Sequence, residues 1–267
     1  MCVLVFALKS HPDYKFIFAG NRDEFYSRPT QPASIWGDEI KILSGIDLKS
    51  NGTWLGVTIN RNDSIPSGDF AVVTNFRDFY QFKENTNLIS RGKLVKDFLQ
   101  TNYPYKKSET RFRDFCDYLI LNSQNYNALN LIFGNFDELY YYSNVNNRIE
   151  MIQNGIHGLS NNFLDIPWPK VHWAKLRFSD IIKNSNDLVE DLLTLLYDNS
   201  QFDVDLLPDT GIGIEREKLL SSIFIKSDVY GTRASTIILV DNNNKIKFIE
   251  RNYIGDNFID KIFDIKI

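Results

Sequence analysis

The sequence predicts an α+β fold from three patterns: short apolar runs separated by turn residues at the start, helix-period stretches in two later blocks, and an apolar hairpin near the end. Cys2–Leu8 and Lys15–Ala19 are apolar or alternating, and Ser10-His11-Pro12-Asp13 between them reads as a hairpin turn. Trp54–Asn60 and Phe70–Phe76 form a second strand pair around the polar Arg61–Asp69 segment, which completes an opening block of strands. Leu88, Val95, Phe98 and Leu99, then Phe115, Cys116 and Leu119, recur at helical spacing, so Leu88–Leu99 and Phe112–Leu121 are expected as amphipathic helices, with Cys116 a buried core thiol. Asn130–Phe133 and Leu139–Ser143 flank Gly134-Asn135-Phe136-Asp137 as a hairpin, and Gly155–Leu159 follows as a short strand. Helices return at Lys170–Lys183, after Pro167-Trp168-Pro169, and at Asp187–Tyr197. A short Glu215–Leu220 helix precedes the last hairpin, Ala234–Val240 and Lys245–Glu250, which turns at Asp241-Asn242-Asn243-Asn244. Two sheets between two helical layers satisfy this order, as do other α+β layouts.

Composition narrows the function. The 267 residues, 43% of them hydrophobic, suit one domain spanning 1–267. No apolar run is long enough to span a bilayer, and the start lacks the basic stretch and cleavage site of a secretory signal, so a cytoplasmic location is expected. Cys2 and Cys116 are too few for a disulfide framework, and His11, His157 and His172 include no ligand-spaced pair, so no metal and no cofactor is expected. The net charge is −4 and the 30 Lys and Arg residues are scattered, which argues against nucleic acid as a partner. Asp209-Thr210-Gly211-Ile212-Gly213-Ile214 lacks the third glycine and the preceding strand of a dinucleotide-binding loop.

Chemistry concentrates at the N-terminus. If Met1 is removed, the Cys2 thiol and the free α-amine belong to one residue, so a nucleophile and a potential general base share a strand tip. Polar clusters then recur where strands are expected to end: Gly20-Asn21-Arg22-Asp23-Glu24, Thr74-Asn75-Phe76-Arg77-Asp78, Gly158-Leu159-Ser160-Asn161-Asn162 and Tyr230-Gly231-Thr232-Arg233-Ala234-Ser235-Thr236. Singly each reads as ordinary turn residues, whereas four together point to a site.

Met1-Cys2, Asn21-Arg22-Asp23-Glu24, Gly52-Thr53-Trp54-Leu55-Gly56-Val57, the Thr74–Asp78 string, Gly158-Leu159-Ser160-Asn161 with Trp168-Pro169-Lys170, and the Tyr230–Thr236 string resemble, in this order, the NRDE-motif family, also called the transport and Golgi organisation 2 family. The likeness spans essentially the whole chain. It implies a fold like that of N-terminal nucleophile hydrolases, a four-layer αββα sandwich of two antiparallel sheets between helices. A more distant likeness, to bile-salt hydrolases and penicillin V acylases, implies Cys2 as nucleophile with Arg22 and Asp23 beside it. The same likeness implies Asn75 and Asn161 holding the oxyanion and the α-amine, and Arg233 closing the site; in those acylases, however, the arginine and aspartate are separated by other residues. Asn21, Trp54 and Phe76 are expected at the substrate. A cationic Arg22 or Arg233 would lower the thiol pKa, and Asp23 would orient the α-ammonium, while Glu24 is expected to be a solvated surface charge.

The expected function is hydrolysis of an amide or thioester bond of a small acyl substrate. The alternative is a non-catalytic protein on the same fold that binds a hydrophobic ligand, because members of the resembled family are linked to haem handling and to lipid or acyl-coenzyme A metabolism; there His157 or Cys2 would ligate haem iron. No sequence feature marks an oligomer interface.

Overall fold

The computed structural model describes residues 2–59, 68–100 and 108–267. Met1, Asn60 and all but the last two residues of the expected 61–69 connection lie outside them. In chain order come β1 (Cys2–Leu8), β2 (Tyr14–Phe25), β3 (Thr30–Trp36), β4 (Ile42–Asp47), β5 (Leu55–Thr58) and β6 (Asp69–Asn75). The helices α1 (Arg91–Gln100) and α2 (Ser108–Asn122) precede β7 (Leu129–Asn135), β8 (Glu138–Ser143), β9 (Arg148–Met151) and β10 (Gly155–Leu159). Then follow α3 (Pro169–Asn184), α4 (Leu188–Leu196), α5 (Ile214–Leu219), β11 (Tyr230–Asp241), β12 (Lys245–Ile254) and β13 (Asn257–Lys266). The α+β class is as the sequence predicts: two antiparallel sheets, ordered β10-β1-β2-β11-β12-β13 and β3-β4-β5-β6-β7-β8-β9, with helices. Among the described residues no helix is long and apolar enough to cross a membrane.

Contacts gather the chain into two compact units. One comprises Met1–Ser27, Arg77–Gln81 and Gln153–Ile265; the other comprises Arg28–Phe76, Phe82–Ile152 and Lys266–Ile267.

In the first unit, Val3, Val5, Ala7, Ile17 and Ala19 form one face of the sheet and pack with Ala174 and Phe178 of α3 and Leu192 and Leu196 of α4. Leu4, Phe6, Phe16 and Phe18 alternate with them and are equally buried, which explains why β1 and the start of β2 read as unbroken apolar runs. Pro169 opens α3 with the fixed φ that a first helical turn accepts. Asp187 caps α4 by accepting from the Glu190 backbone N–H at 3.2 Å.

In the second unit, Ala71, Val73, Leu131 and Phe133 pack with Leu94, Val95, Phe98 and Leu99 of α1 and with Phe115 and Leu119 of α2. Cys116 is half-buried there, not buried, because it sits at the margin of this helical stripe.

Two differences from the sequence reading reposition the candidate site. β2 runs on to Phe25, so Asn21-Arg22-Asp23-Glu24 lies inside a strand and not in the loop beyond it. Alternation therefore sends Arg22 and Glu24 to one face and Asn21 and Asp23 to the other. β11 likewise begins at Tyr230, because Tyr230–Thr232 pairs with the extension of β2. Four strands escape the sequence patterns altogether: β3, β4, β9 and β13.

Candidate active site

Cys2 opens β1 and pairs with Arg22 of β2, while Asp23 of β2 pairs with Thr232 of β11. The β2–β11 register slips between Thr232 and Ala234, and Arg233 is the residue left over in that bulge. Pairing between β1 and β10 runs as far as Leu4 with Leu159, which brings Ser160 back to the start of β1. The Ser160 hydroxyl donates to the Cys2 carbonyl at 2.8 Å. Backbone pairing alone thus gathers Cys2, Arg22, Asp23, Asn161 and Arg233 at one end of one sheet.

The side chains around Cys2 are mostly withdrawn from water. Cys2 is 7% exposed, Asp23 2% and Asn161 0%. The Asp23 backbone N–H reaches the Cys2 sulfur. The Asp23 carboxylate accepts from the Thr232 hydroxyl at 2.7 Å, and that hydroxyl accepts in turn from the Ile225 N–H at 2.9 Å. Burial pushes the Asp23 carboxyl up to about 6, against the pull of nearby cations. Burial also pushes the Cys2 thiol above its ordinary value, and the Arg22 charge is too weak an influence to reverse that. Arg22 does pull the thiol down, as expected, but the cost of desolvating a thiolate outweighs it, so the net shift is upward.

Arg22 approaches Glu24 at 3.9 Å on the face they share, so Glu24 is the carboxylate facing that guanidinium and not merely a solvated charge. Arg233 Nη1 donates to the carbonyls of Phe25 and Tyr26 at 3.0 and 3.1 Å, and its pKa is lowered by burial and by Arg22.

Asn21 departs from the role expected of it. Its Nδ2 donates to the carbonyls of Leu196 and Ile223 at 2.7 and 2.9 Å, and its Oδ1 accepts from Ser235 at 2.6 Å. Both amide hydrogens are spent on the chain itself, so Asn21 braces β2 and cannot donate to a substrate. Asn75, Trp54 and Phe76 belong to the second unit. Asn75 pairs with Leu129 at the end of β6, the Trp54 carbonyl accepts from Val73, and the Phe76 ring meets Phe82 edge-on at 6.1 Å. His157 is held by Asp165, at 2.7 Å from Nδ1, and by the Gln153 carbonyl, at 2.8 Å from Nε2.

Several buried or half-buried charged and phenolic groups of the same unit carry no role in the sequence reading. Lys170, in the first turn of α3, is 2% exposed and donates from Nζ to the Leu220 carbonyl at 2.9 Å. Burial pulls its pKa down to about 8, with Asp23 acting in the opposite sense. Arg77 pairs with Glu217 at 2.8 Å and lies 4.9 Å from the Trp168 ring centre, and its own N–H donates to the Asn161 carbonyl at 2.7 Å. Glu217 also accepts from the Thr210 backbone at 2.8 Å. Tyr230 is half-buried where the charges of Asp23 and Cys2 reach it, and desolvation holds its phenol well above the ordinary value. Lys170, Arg77 and Tyr230 stand inside strings that carried the resemblance; Glu217 had no local signal. Among the described residues no three His, Cys, Asp or Glu side chains gather as metal ligands.

A family model described as Transport and Golgi organisation 2 matches residues 1–255. The chain belongs to the Transport and Golgi organisation 2 family. It is 33% identical to the human Transport and Golgi organization protein 2 homolog over 94% of this chain and 93% of that one. It is 32% identical to the Bos taurus homolog, covering 96% and 95%, and 28% identical to the Drosophila melanogaster protein, covering 96% and 93%. In this Transport and Golgi organisation 2 chain, the family match runs through both compact units.

Proposed function

We propose that Cys2, made the first residue by removal of Met1, is the nucleophile of a hydrolase acting on an amide or thioester bond of a small acyl substrate. The observation that carries this reading is the strand pairing that sets Cys2 beside Arg22 and Asp23, with Asn161 and Arg233 at the same sheet end. The α-amine, with an ordinary pKa of about 7.7–8.0, takes the thiol proton. The thiolate adds to the acyl carbon, and Asn161 supplies a donor to the oxyanion. Collapse expels the amine or thiol, which takes the proton back from the α-ammonium. Water, deprotonated by the same amine, then hydrolyses the acyl-thioester and releases the acid. Above pH 6 the Asp23 carboxylate is ionised and orients the α-ammonium.

Burial that raises the thiol pKa favours a second reading, in which the same fold binds a hydrophobic ligand such as haem or an acyl-coenzyme A without turnover. The relatives' names, which speak of transport, support it. On either reading we treat the two units as one functional domain of a cytoplasmic protein.

The test is release of free thiol from short acyl thioesters and of amine from acyl amides. The hydrolase reading expects turnover by the wild type, loss of at least a hundredfold in Cys2→Ala, and accumulation of an acylated Cys2 in intact mass. Ligand copurification with no turnover of either class would overturn it.

A further inference from the structure

Cys2 stands at a strand tip, and a strand tip frays unless something beyond the ladder ties it down. On the β2 side the ladder reaches Cys2 itself, through its pairing with Arg22, whereas on the β10 side it stops at Leu4 with Leu159. Past that point the tie is a side chain: the Ser160 hydroxyl donates to the Cys2 carbonyl at 2.8 Å. The same hydroxyl stands 3.2 Å from Asn161 Oδ1, so one hydrogen serves the main chain of Cys2 and the side chain of Asn161 together. An amide carries its oxygen and its NH2 at opposite corners, and the contact therefore sets the turn of the Asn161 amide, with Oδ1 toward Ser160 and NH2 away from it.

The main chain of Asn161 is held separately. Its carbonyl accepts from the Arg77 backbone N–H at 2.7 Å, the Arg77 guanidinium is tied to Glu217 at 2.8 Å, and Glu217 accepts from the Thr210 backbone N–H at 2.8 Å. Ser160, Asn161, Arg77 and Glu217 are each at most 4% exposed, so water does not compete for these bonds.

We infer that Ser160 is a positioning residue, its hydroxyl setting the spacing between Cys2 and Asn161 and the turn that presents the NH2 of Asn161 to an oxyanion. The inference rests on the reading of Cys2 as a nucleophile with Asn161 as oxyanion donor. A donor of that kind works only when held to about 0.5 Å of its place, and Ser160 bonds to both groups whose separation matters.

This role predicts a split between two reactions of one thiol. Alkylation by iodoacetamide, in which sulfur displaces iodide from a saturated carbon, forms no oxyanion, whereas attack on a thioester does. The test follows both in a Cys116→Ser background: alkylation of Cys2 by intact mass, and cleavage of the butanoyl thioester of mercaptoethanol by release of the thiol. Ser160→Ala is expected to alkylate within about twofold of the parent and to cleave the thioester about tenfold more slowly at saturation, with KM little changed. Ser160→Thr, which keeps the hydroxyl, is expected to recover most of that rate. A merely structural serine would lower the melting temperature and slow both reactions together or neither, and either pattern overturns the inference. If Ser160→Ala fails to fold, Ser160→Thr is compared with Ser160→Val, alike in shape and different in the hydroxyl, under the same criteria; failure of all three to fold marks Ser160 as structural and overturns the inference too. A wild-type chain that alkylates at Cys2 yet cleaves neither thioester nor amide overturns the hydrolase reading and this inference with it, whereas turnover indifferent to Ser160 overturns this inference alone.

Discussion

Asp23 and Asp165 show how opposite surroundings give one residue type opposite pH behaviour. Burial raises the Asp23 carboxyl to about 6, well above the ordinary carboxylate range, so the folded chain holds its proton more tightly than the unfolded chain. Its contribution to stability is complete below pH 4 and is lost as pH rises through 6, on the order of 3 kcal/mol by the size of the shift. Melting temperatures of wild type minus Asp23→Asn should therefore fall between pH 4 and 6; a flat difference contradicts the burial argument. Asp165 accepts from His157, from Lys175 at 2.6 Å and from the Gly158 N–H at 2.9 Å, which hold its carboxyl at about 2. It stabilises the fold above pH 4 and loses that contribution as pH falls toward 2, and partial exposure limits it to about 1 kcal/mol. Asp165→Asn should show that cost at pH 7 in denaturant titration. Arg77 and Glu217 lie 140 residues apart in sequence, which is why no local pattern announced them. Glu217→Gln strands a buried guanidinium and should cost about 3–5 kcal/mol, whereas replacing both partners by apolar residues should cost much less.

Among the elements, legibility followed burial. β1 and the start of β2 are buried on both faces and read as apolar runs, and α1, α3 and α4 carry one apolar stripe each. β3 carries Pro32 and an exposed Gln31 at the edge of its sheet, and β13 intersperses Asp260, Lys261 and Asp264 among mostly exposed apolar residues along an edge, so neither shows a buried period. The end of β2 carries no apolar period, because polar residues replace apolar ones from Asn21 to Glu24. Close approach also leaves its mark. A Cβ at Gly231 would lie 2.5 Å from the Ile225 carbonyl oxygen, and one at Gly158 would lie 2.8 Å from Val171 on α3. Gly231→Ala should therefore destabilise by about 1–3 kcal/mol, measurable by chemical denaturation, because backbone and not a flexible side chain must yield.

At the scale of the molecule, the first unit is assembled from distant stretches of chain. β2 pairs with β11 across some 200 residues, with register partners such as Asn21 and Ser235, and the second unit's segments fall between them. A fragment ending at residue 152 lacks β10 to β13 and leaves β1 and β2 as an isolated hairpin, which is marginal in water. Such a fragment should show no protected amides in β1 or β2 by hydrogen exchange. The same topology explains what was legible in the sequence: the strings that carry Cys2, Arg22, Asp23, Asn161 and Arg233 are local, whereas Arg77 and Glu217 meet only when segments 140 residues apart come together. The central claim is that Cys2 is a reactive N-terminal nucleophile. It is tested most directly by intact-protein mass before and after a thiol-directed acylating probe, on wild type and Cys2→Ala. The account predicts loss of Met1 and a single acyl adduct on Cys2 that the variant lacks; retained Met1, or a Cys2 that takes no label, would contradict it.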